Sequence, residues 1–348
     1  MSVLLSTSLP DVDWRRTART RSRTSTTARI QAATFVLLAA CALQACGART
    51  GDAPDSAGAS ANSATSERTP AARPLAPADT DDFGAPLPLD ASSSARIVSL
   101  NPTATELLYA IGAGDRLVGR SAWDEFPAEV KSVRSVGDGI KPNVEAVLGV
   151  KPTLVVLYAT AENRAAAAAF QKAGVRVISM RLDQIAEFMA FTAVLGRAVG
   201  AEGRAATVRD SVGRTLDAVR AATRNVTPVR VVWPVWLAPT MVIGGGSFID
   251  ELITIAGGEN VFHDSPGPSP PVSIEEIAKR DPDFVVASAS TRERLADDVP
   301  WRAVRAVREG RWVLGDPALT GRPSVVLGMA AVALARALHP ELAGTLPK

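Results

Sequence analysis

Asn143-Val144-Glu145-Ala146-Val147-Leu148 leads through Lys151-Pro152 into Leu154-Val155-Val156-Leu157. Ser273-Ile274-Glu275-Glu276-Ile277-Ala278 leads through Asp281-Pro282 into Phe284-Val285-Val286-Ala287. The two stretches align without a gap, 130 residues apart from Glu145 to Glu275. Each opens on a good N-cap, Asn143 or Ser273. Each places a glutamate in the first helical turn, where the helix dipole favours negative charge. Each closes with a proline just before a short apolar strand.

The copying extends outward. Glu106-Leu107-Leu108 runs on to Gly112 and Leu117-Val118, as Glu251-Leu252-Ile253 runs on to Gly257-Gly258 and Val261-Phe262. Gly174-Val175-Arg176-Val177-Ile178 has its counterpart in Gly310-Arg311-Trp312-Val313-Leu314. Three segments recur in one order, which predicts two lobes of similar α/β topology with Glu145 and Glu275 in equivalent places.

Between the lobes, residues 183–223 read as mostly helical. Ile185, Phe188, Met189, Thr192, Leu195 and Val199 give one apolar stripe; Val208, Val212, Leu216 and Val219 give another. Gly196, Gly200 and Gly203 predict a break. A helical region over 183–227 thus connects an N-terminal lobe, 95–182, to a C-terminal lobe, 228–348.

Ahead of the lobes, residues 1–30 carry six arginines against Asp11 and Asp13. That +4 leaves the rest of the chain at −2, against a formal +2 for the whole. No basic face remains to suggest nucleic-acid binding. Ile30 to Ala45 is nearly all apolar or small and shorter than the roughly 20 residues of a membrane span. A basic region, a short apolar core and small residues describe a secretory signal peptide over 1–45. Leu43-Gln44-Ala45-Cys46 resembles the lipobox of bacterial lipoproteins, which implies cleavage before Cys46 and a lipid on its thiol. Residues 46–94, dominated by Ala, Ser, Thr, Pro, Asp and Gly, read as a disordered tether. Both cysteines, Cys41 and Cys46, precede the lobes, so the folded part has neither a disulfide nor a cysteine metal site.

Chemistry is sparse. No serine sits in G-x-S-x-G, and no Walker lysine follows Gly244-Gly245-Gly246. That glycine run marks a tight strand-to-helix turn, either purely structural or offering amides to a ligand. His263 and His339 lack i,i+4 partners and read as surface residues. The chain is expected not to be an enzyme and to hold neither cofactor nor resident metal. What stands out are aromatics in loops at strand ends: Trp123 and Phe126, Tyr158, and Trp233 with Trp236. Such groups suit a bulky ligand in a crevice between lobes, with Trp233 equally readable as core. In the first lobe, Pro102 suits an early helical position, and Thr103 with Glu106 offers a capping box.

Arg96-Ile97-Val98-Ser99-Leu100-Asn101-Pro102-Thr103-Ala104-Thr105-Glu106 resembles the opening of the periplasmic substrate-binding proteins for cobalamin and ferric siderophores. Gly257-Gly258-Glu259-Asn260-Val261-Phe262, followed by Val272-Ser273-Ile274-Glu275-Glu276-Ile277, does so too. The resemblance runs from Arg96 to His339. It implies two Rossmann-like lobes joined by one long backbone helix, a ligand between them, and small lobe closure. It implies docking of Glu145 and Glu275 onto arginines of a two-fold ABC permease, which works with its ATPase. The residues expected to bind the ligand in this chain are Asn101, Trp123, Tyr158, Arg181, Trp236, Ser269 and Arg322. Gly139 and Ser269 stand where the cobalamin binder has tryptophans that pack on the corrin. Arg181 and Arg322 would pair with an anionic siderophore or face solvent. The expected protein is a monomeric, lipid-anchored component of the cell envelope that carries a cobalamin-like corrinoid or a ferric siderophore. The alternative is a sensor or interaction module of the same fold without a transporter.

Overall fold

The structure is a computed structural model that describes residues 79–90, 95–315 and 320–347. The signal peptide and Cys46 lie outside the described residues.

In the N-terminal lobe the chain runs β1 (Ile97–Ser99), α1 (Pro102–Ala110), β2 (Leu117–Arg120), α2 (Val144–Gly149), β3 (Leu154–Tyr158), α3 (Asn163–Lys172) and β4 (Arg176–Met180). The strands are parallel in the order β2-β1-β3-β4. Successive side chains point to opposite faces, so both faces are apolar. Ile97, Leu154 and Val156 pack with α1, while Val98, Val155 and Leu157 pack with α2 and α3.

The C-terminal lobe repeats this plan. It comprises β5 (Val229–Val232), the hairpin β6 (Pro234–Leu237) and β7 (Thr240–Val242), then α6 (Phe248–Ile255) and β8 (Gly258–Asn260). After these come α7 (Ile274–Arg280), β9 (Phe284–Ala287), α8 (Ala289–Asp297), α9 (Arg305–Arg308), β10 (Trp312–Leu314) and α10 (Leu327–Leu338). Its parallel sheet, read from the β8 edge, is β8-β5-β9-β10, the same order as in the first lobe.

The repeated stretch behaves as its sequence predicts. Asn143 Oδ1 accepts from the Ala146 amide at 3.0 Å, and Ser273 Oγ accepts from the Glu276 amide at 3.1 Å. Burial follows the same position-by-position pattern over 141–150 and 271–280, with Val147 and Ile277 buried and Glu145 and Glu275 exposed. One turn of short helix presents each glutamate to solvent.

The connector is helical in two pieces, α4 (Ile185–Ala198) and α5 (Glu202–Thr223). Gly200, at φ +65°, turns the chain between them. Gly196 lies against Ala205 so closely that any Cβ there would overlap it. α4 serves both lobes, with Ile185 and Phe188 in the C-terminal core and Phe191 and Leu195 in the N-terminal core. α5 also reaches both, through Ala205 at one end and Val212, Leu216 and Val219 further on.

Three expectations are corrected. The tether was expected to be disordered to residue 94, yet residues 79–90 pack on the N-terminal lobe. Asp81 caps its own turn, accepting from the amides of Phe83 and Ala85 at 3.0 and 2.9 Å, and Leu87 is buried in the core. A few apolar residues suffice because β4, an edge strand, offers backbone groups that need partners. The Thr103–Glu106 capping box does not form. Asn101 is the N-cap of α1, its Oδ1 accepting from the Thr103 amide at 2.9 Å. His339 is not a surface residue. Its ring is buried, with Nε2 at 2.9 Å from the Gly257 carbonyl oxygen and Nδ1 at 3.1 Å from Glu341. His263 is exposed, held by Nδ1 against buried Asp250 at 2.7 Å.

Candidate functional site

In open parallel sheets, ligands sit beyond the carboxyl ends of the strands where the strand order reverses. Both lobes turn those ends toward one cleft, a cavity of about 580 Å³. The N-terminal lobe supplies Asn101 after β1, Trp123 after β2, Tyr158 at the end of β3, and Leu182 with Asp183 after β4. The C-terminal lobe supplies Val235, Ile243, Ser247, Phe248, Ile249, Pro268, Ser269 and Gly321 to Pro323.

Five predicted positions therefore meet in one cleft: Asn101, Trp123, Tyr158, Ser269 and Arg322. Two do not line it. Trp236 lies on β6, where neighbouring side chains point to opposite sides. Val235 takes the wall, while Trp236 is exposed and donates from Nε1 to the Ala238 carbonyl at 2.9 Å. Arg181 is set back from the cleft, its amide donating to Asp82 Oδ2 at 2.6 Å, and the two residues after it form the wall. Asp183, Val235 and Phe248 are wall residues that motif reading missed. Asp183 had a usable signal, because it follows a strand end as Trp123 does.

Trp123 is 63% exposed yet oriented, its Nε1 donating to Asp138 at 3.2 Å. The amide of Ile140 first, and then that indole, hold the Asp138 carboxyl below the usual range. Tyr158 donates its hydroxyl to Asp183. Burial first, and then Asp183, push the phenol well above the ordinary tyrosine value, so it stays protonated. The floor of the cleft ties the lobes together. Arg322 pairs with Glu106 of α1, and its guanidinium lies 5.8 Å from the centre of the Phe126 ring. Thr103 Oγ1 donates to the Pro323 carbonyl at 2.7 Å. Arg322 is the one cation among the described cleft-lining residues, and it faces Glu106 rather than an empty space.

The glycine run is structural. The amides of Gly244 and Gly245 donate to the Pro268 and Ser265 carbonyls at 3.1 Å, which brings the 263–270 loop over the cleft. A Cβ on either glycine would overlap that loop. Gly139 is fixed in the same way, because a Cβ there would overlap the Leu100 carbonyl oxygen at the end of β1. Trp233 is buried in the C-terminal core. Among the described residues no group of His, Cys, Asp and Glu gathers to hold a metal, and no helix is long and apolar enough to cross a membrane.

Residues 97–319 match the family model described as periplasmic binding protein. The vitamin B12-binding protein of Pectobacterium carotovorum is 27% identical over 216 residues, 61% of this chain and 78% of that protein. An uncharacterized ABC transporter substrate-binding lipoprotein of Bacillus subtilis, YvrC, is 29% identical over 254 residues, 71% of this chain and 80% of the relative. Among solved structures, the apo form of the periplasmic heme-binding protein RhuT of Roseiflexus sp. RS-1 has a TM-score of 0.64 at 25% identity, covering 71% of this chain and 98% of that one.

Proposed function

The chain belongs to the periplasmic binding protein family, and we propose that it is the extracytoplasmic substrate-binding component of an ABC importer whose cargo is a cobalamin-like corrinoid. In this reading it is held to a membrane through lipid on Cys46, works as a monomer and performs no chemistry. The observation that carries the choice of cargo is the charge of the cleft. Among the described residues its one lining cation, Arg322, is already matched by Glu106, and Asp183 adds an acid. A ferric siderophore of anionic donors, or the carboxylates of a haem, would call for more positive charge than the described wall residues offer. A corrinoid is broad, apolar on its faces and rimmed by neutral amides, which suits Trp123, Val235, Phe248 and Pro268 around a few polar groups. A tyrosinate bond to iron would also require Tyr158 to give up a proton that burial and Asp183 hold on it. The similarity to vitamin B12-binding proteins supports the same cargo.

Calorimetric titration of the full chain with cyanocobalamin, haemin and a ferric siderophore tests this. Binding of cyanocobalamin with Kd below about 1 µM and markedly weaker binding of the others is expected. Tight siderophore binding with none of cyanocobalamin would reverse the assignment. Delivery is assigned to Glu145 and Glu275, whose matching, exposed helix starts suit a two-fold permease that presents one basic pocket twice. Glu145→Ala combined with Glu275→Ala should abolish stimulation of the transporter ATPase while cyanocobalamin affinity is unchanged. A wild-type chain that stimulates no ATPase encoded beside it would instead favour a sensor of the same fold.

A further inference from the structure

Residues 79–90 lie against β4, the edge strand of the N-terminal sheet. The Asp82 amide donates to the Ser179 carbonyl at 2.9 Å, and Asp82 Oδ2 accepts from the Arg181 amide at 2.6 Å. The two bonds bracket Met180, the last residue of β4. Leu182 and Asp183 come next in the chain, and both line the cleft. Asp183 in turn receives the Tyr158 hydroxyl. The far end of this wall is fixed separately, with the Asp183 amide on Glu187 at 2.7 Å and its carbonyl accepting from the Phe248 amide at 2.7 Å. Its near end is held by Asp82.

The segment carrying Asp82 is itself firmly placed. Leu87 is buried in the core, Arg164 stacks 4.4 Å from the Phe83 ring centre, and Asp90 pairs with Arg176 at 3.2 Å. A carboxylate accepting a backbone amide is a charge-assisted bond, stronger than a neutral one. It is therefore able to fix where a short wall begins.

We propose that Asp82 is a positioning residue of the ligand cleft: through the Arg181 amide it sets the Leu182–Asp183 wall and thereby the orientation of the Tyr158 hydroxyl. The chain between the membrane tether and the sheet is then part of the binding site rather than an attachment to it. This rests on the cleft being the ligand site.

The chain has two tyrosines, Tyr109 and Tyr158, so tyrosine labelled with carbon-13 at Cζ gives two resonances, assigned with Tyr109→Phe. In the full chain, Asp82→Ala should move the Tyr158 resonance and leave that of Tyr109 in place. Its affinity for cyanocobalamin should fall about tenfold, as expected when most of one charge-assisted bond is lost. Asp82→Asn keeps an oxygen acceptor without the charge and should return the resonance and recover part of the affinity. Asp90→Ala, which cuts the Arg176 pair at the other end of the segment, should move neither. A Tyr158 resonance unmoved in folded Asp82→Ala, or moved equally by Asp90→Ala, would overturn the proposal. Failure of the wild-type chain to bind cyanocobalamin would sink the corrinoid reading, while the resonance test would still decide the role of Asp82.

Discussion

Lys151 and Asp281, 130 residues apart, share one unusual backbone state. With φ of 51° and 45°, they are the two residues other than glycine that have positive φ among the described residues. Each follows the helix of the repeated stretch and precedes a proline, which forbids the helix to continue through the residue before it. The repeat therefore extends to the way each helix is stopped.

A side chain in the left-handed region costs about 1–2 kcal/mol, and glycine's extra freedom in the unfolded chain returns about 0.5–1 kcal/mol of that. Lys151→Gly should thus stabilise the protein by about 0.5 kcal/mol, read from the urea midpoint. Asp281→Gly should gain less, because Asp281 also pairs with Arg305 at 2.8 Å.

Trp123 and Trp236 are nearly equally exposed, at 63% and 61%, but only Trp123 lines the cleft. Trp123→Ala should weaken cyanocobalamin binding about tenfold, the size expected for one aromatic contact, with no loss of folding stability. Trp236→Ala should leave affinity unchanged. Calorimetry on both variants checks the pair.

The Glu106–Arg322 pair closes the floor of the cleft with both side chains largely buried. Burial also holds the Arg322 guanidinium below its ordinary value. Removing one partner strands the other's charge, so Glu106→Gln and Arg322→Gln should each cost roughly 2–4 kcal/mol. The double variant should cost much less than their sum, which a double-mutant cycle in urea measures.

Asp124 offers a pH signature. Its carboxyl is buried, with Oδ2 accepting from the Ser121 amide at 2.5 Å, and burial raises it above the ordinary value of 3.8. Between that value and its raised one, the folded chain keeps a proton that the unfolded chain releases. Stability should therefore fall as pH rises through this window. Asp124→Asn should flatten that part of the stability profile, measured by urea unfolding at pH steps from 4 upward.

The parts of the molecule governed by neighbours in sequence were readable in advance. A capping residue, a glutamate in the first turn, a proline and an apolar strand are local instructions, and the 130-residue repeat of Glu145 at Glu275 made the two lobes visible. Strand ends likewise pointed to Trp123 and Tyr158, which meet in the cleft. What escaped depended on distant partners. Trp236 and Val235 exchange roles because β6 pairs with β7, a register that the sequence of the loop does not display. Arg322 meets Glu106 across 216 residues, and His339 meets Gly257 across 82. Residues 79–90 were concealed by averaging, since Phe83 and Leu87 are diluted among small and polar neighbours.

α4 has its own consequence. Phe188 belongs to one lobe's core and Phe191, less than one turn later, to the other's. Any hinge between the lobes would have to bend a continuous helix at that point. Loading should therefore resemble a key entering an already cut lock: one kinetic phase, a rate that rises linearly with ligand concentration, and little heat absorbed in reshaping the protein. On the proposed role, unloading would then have no spring of its own to draw on, and the force that parts the walls would come from outside the chain.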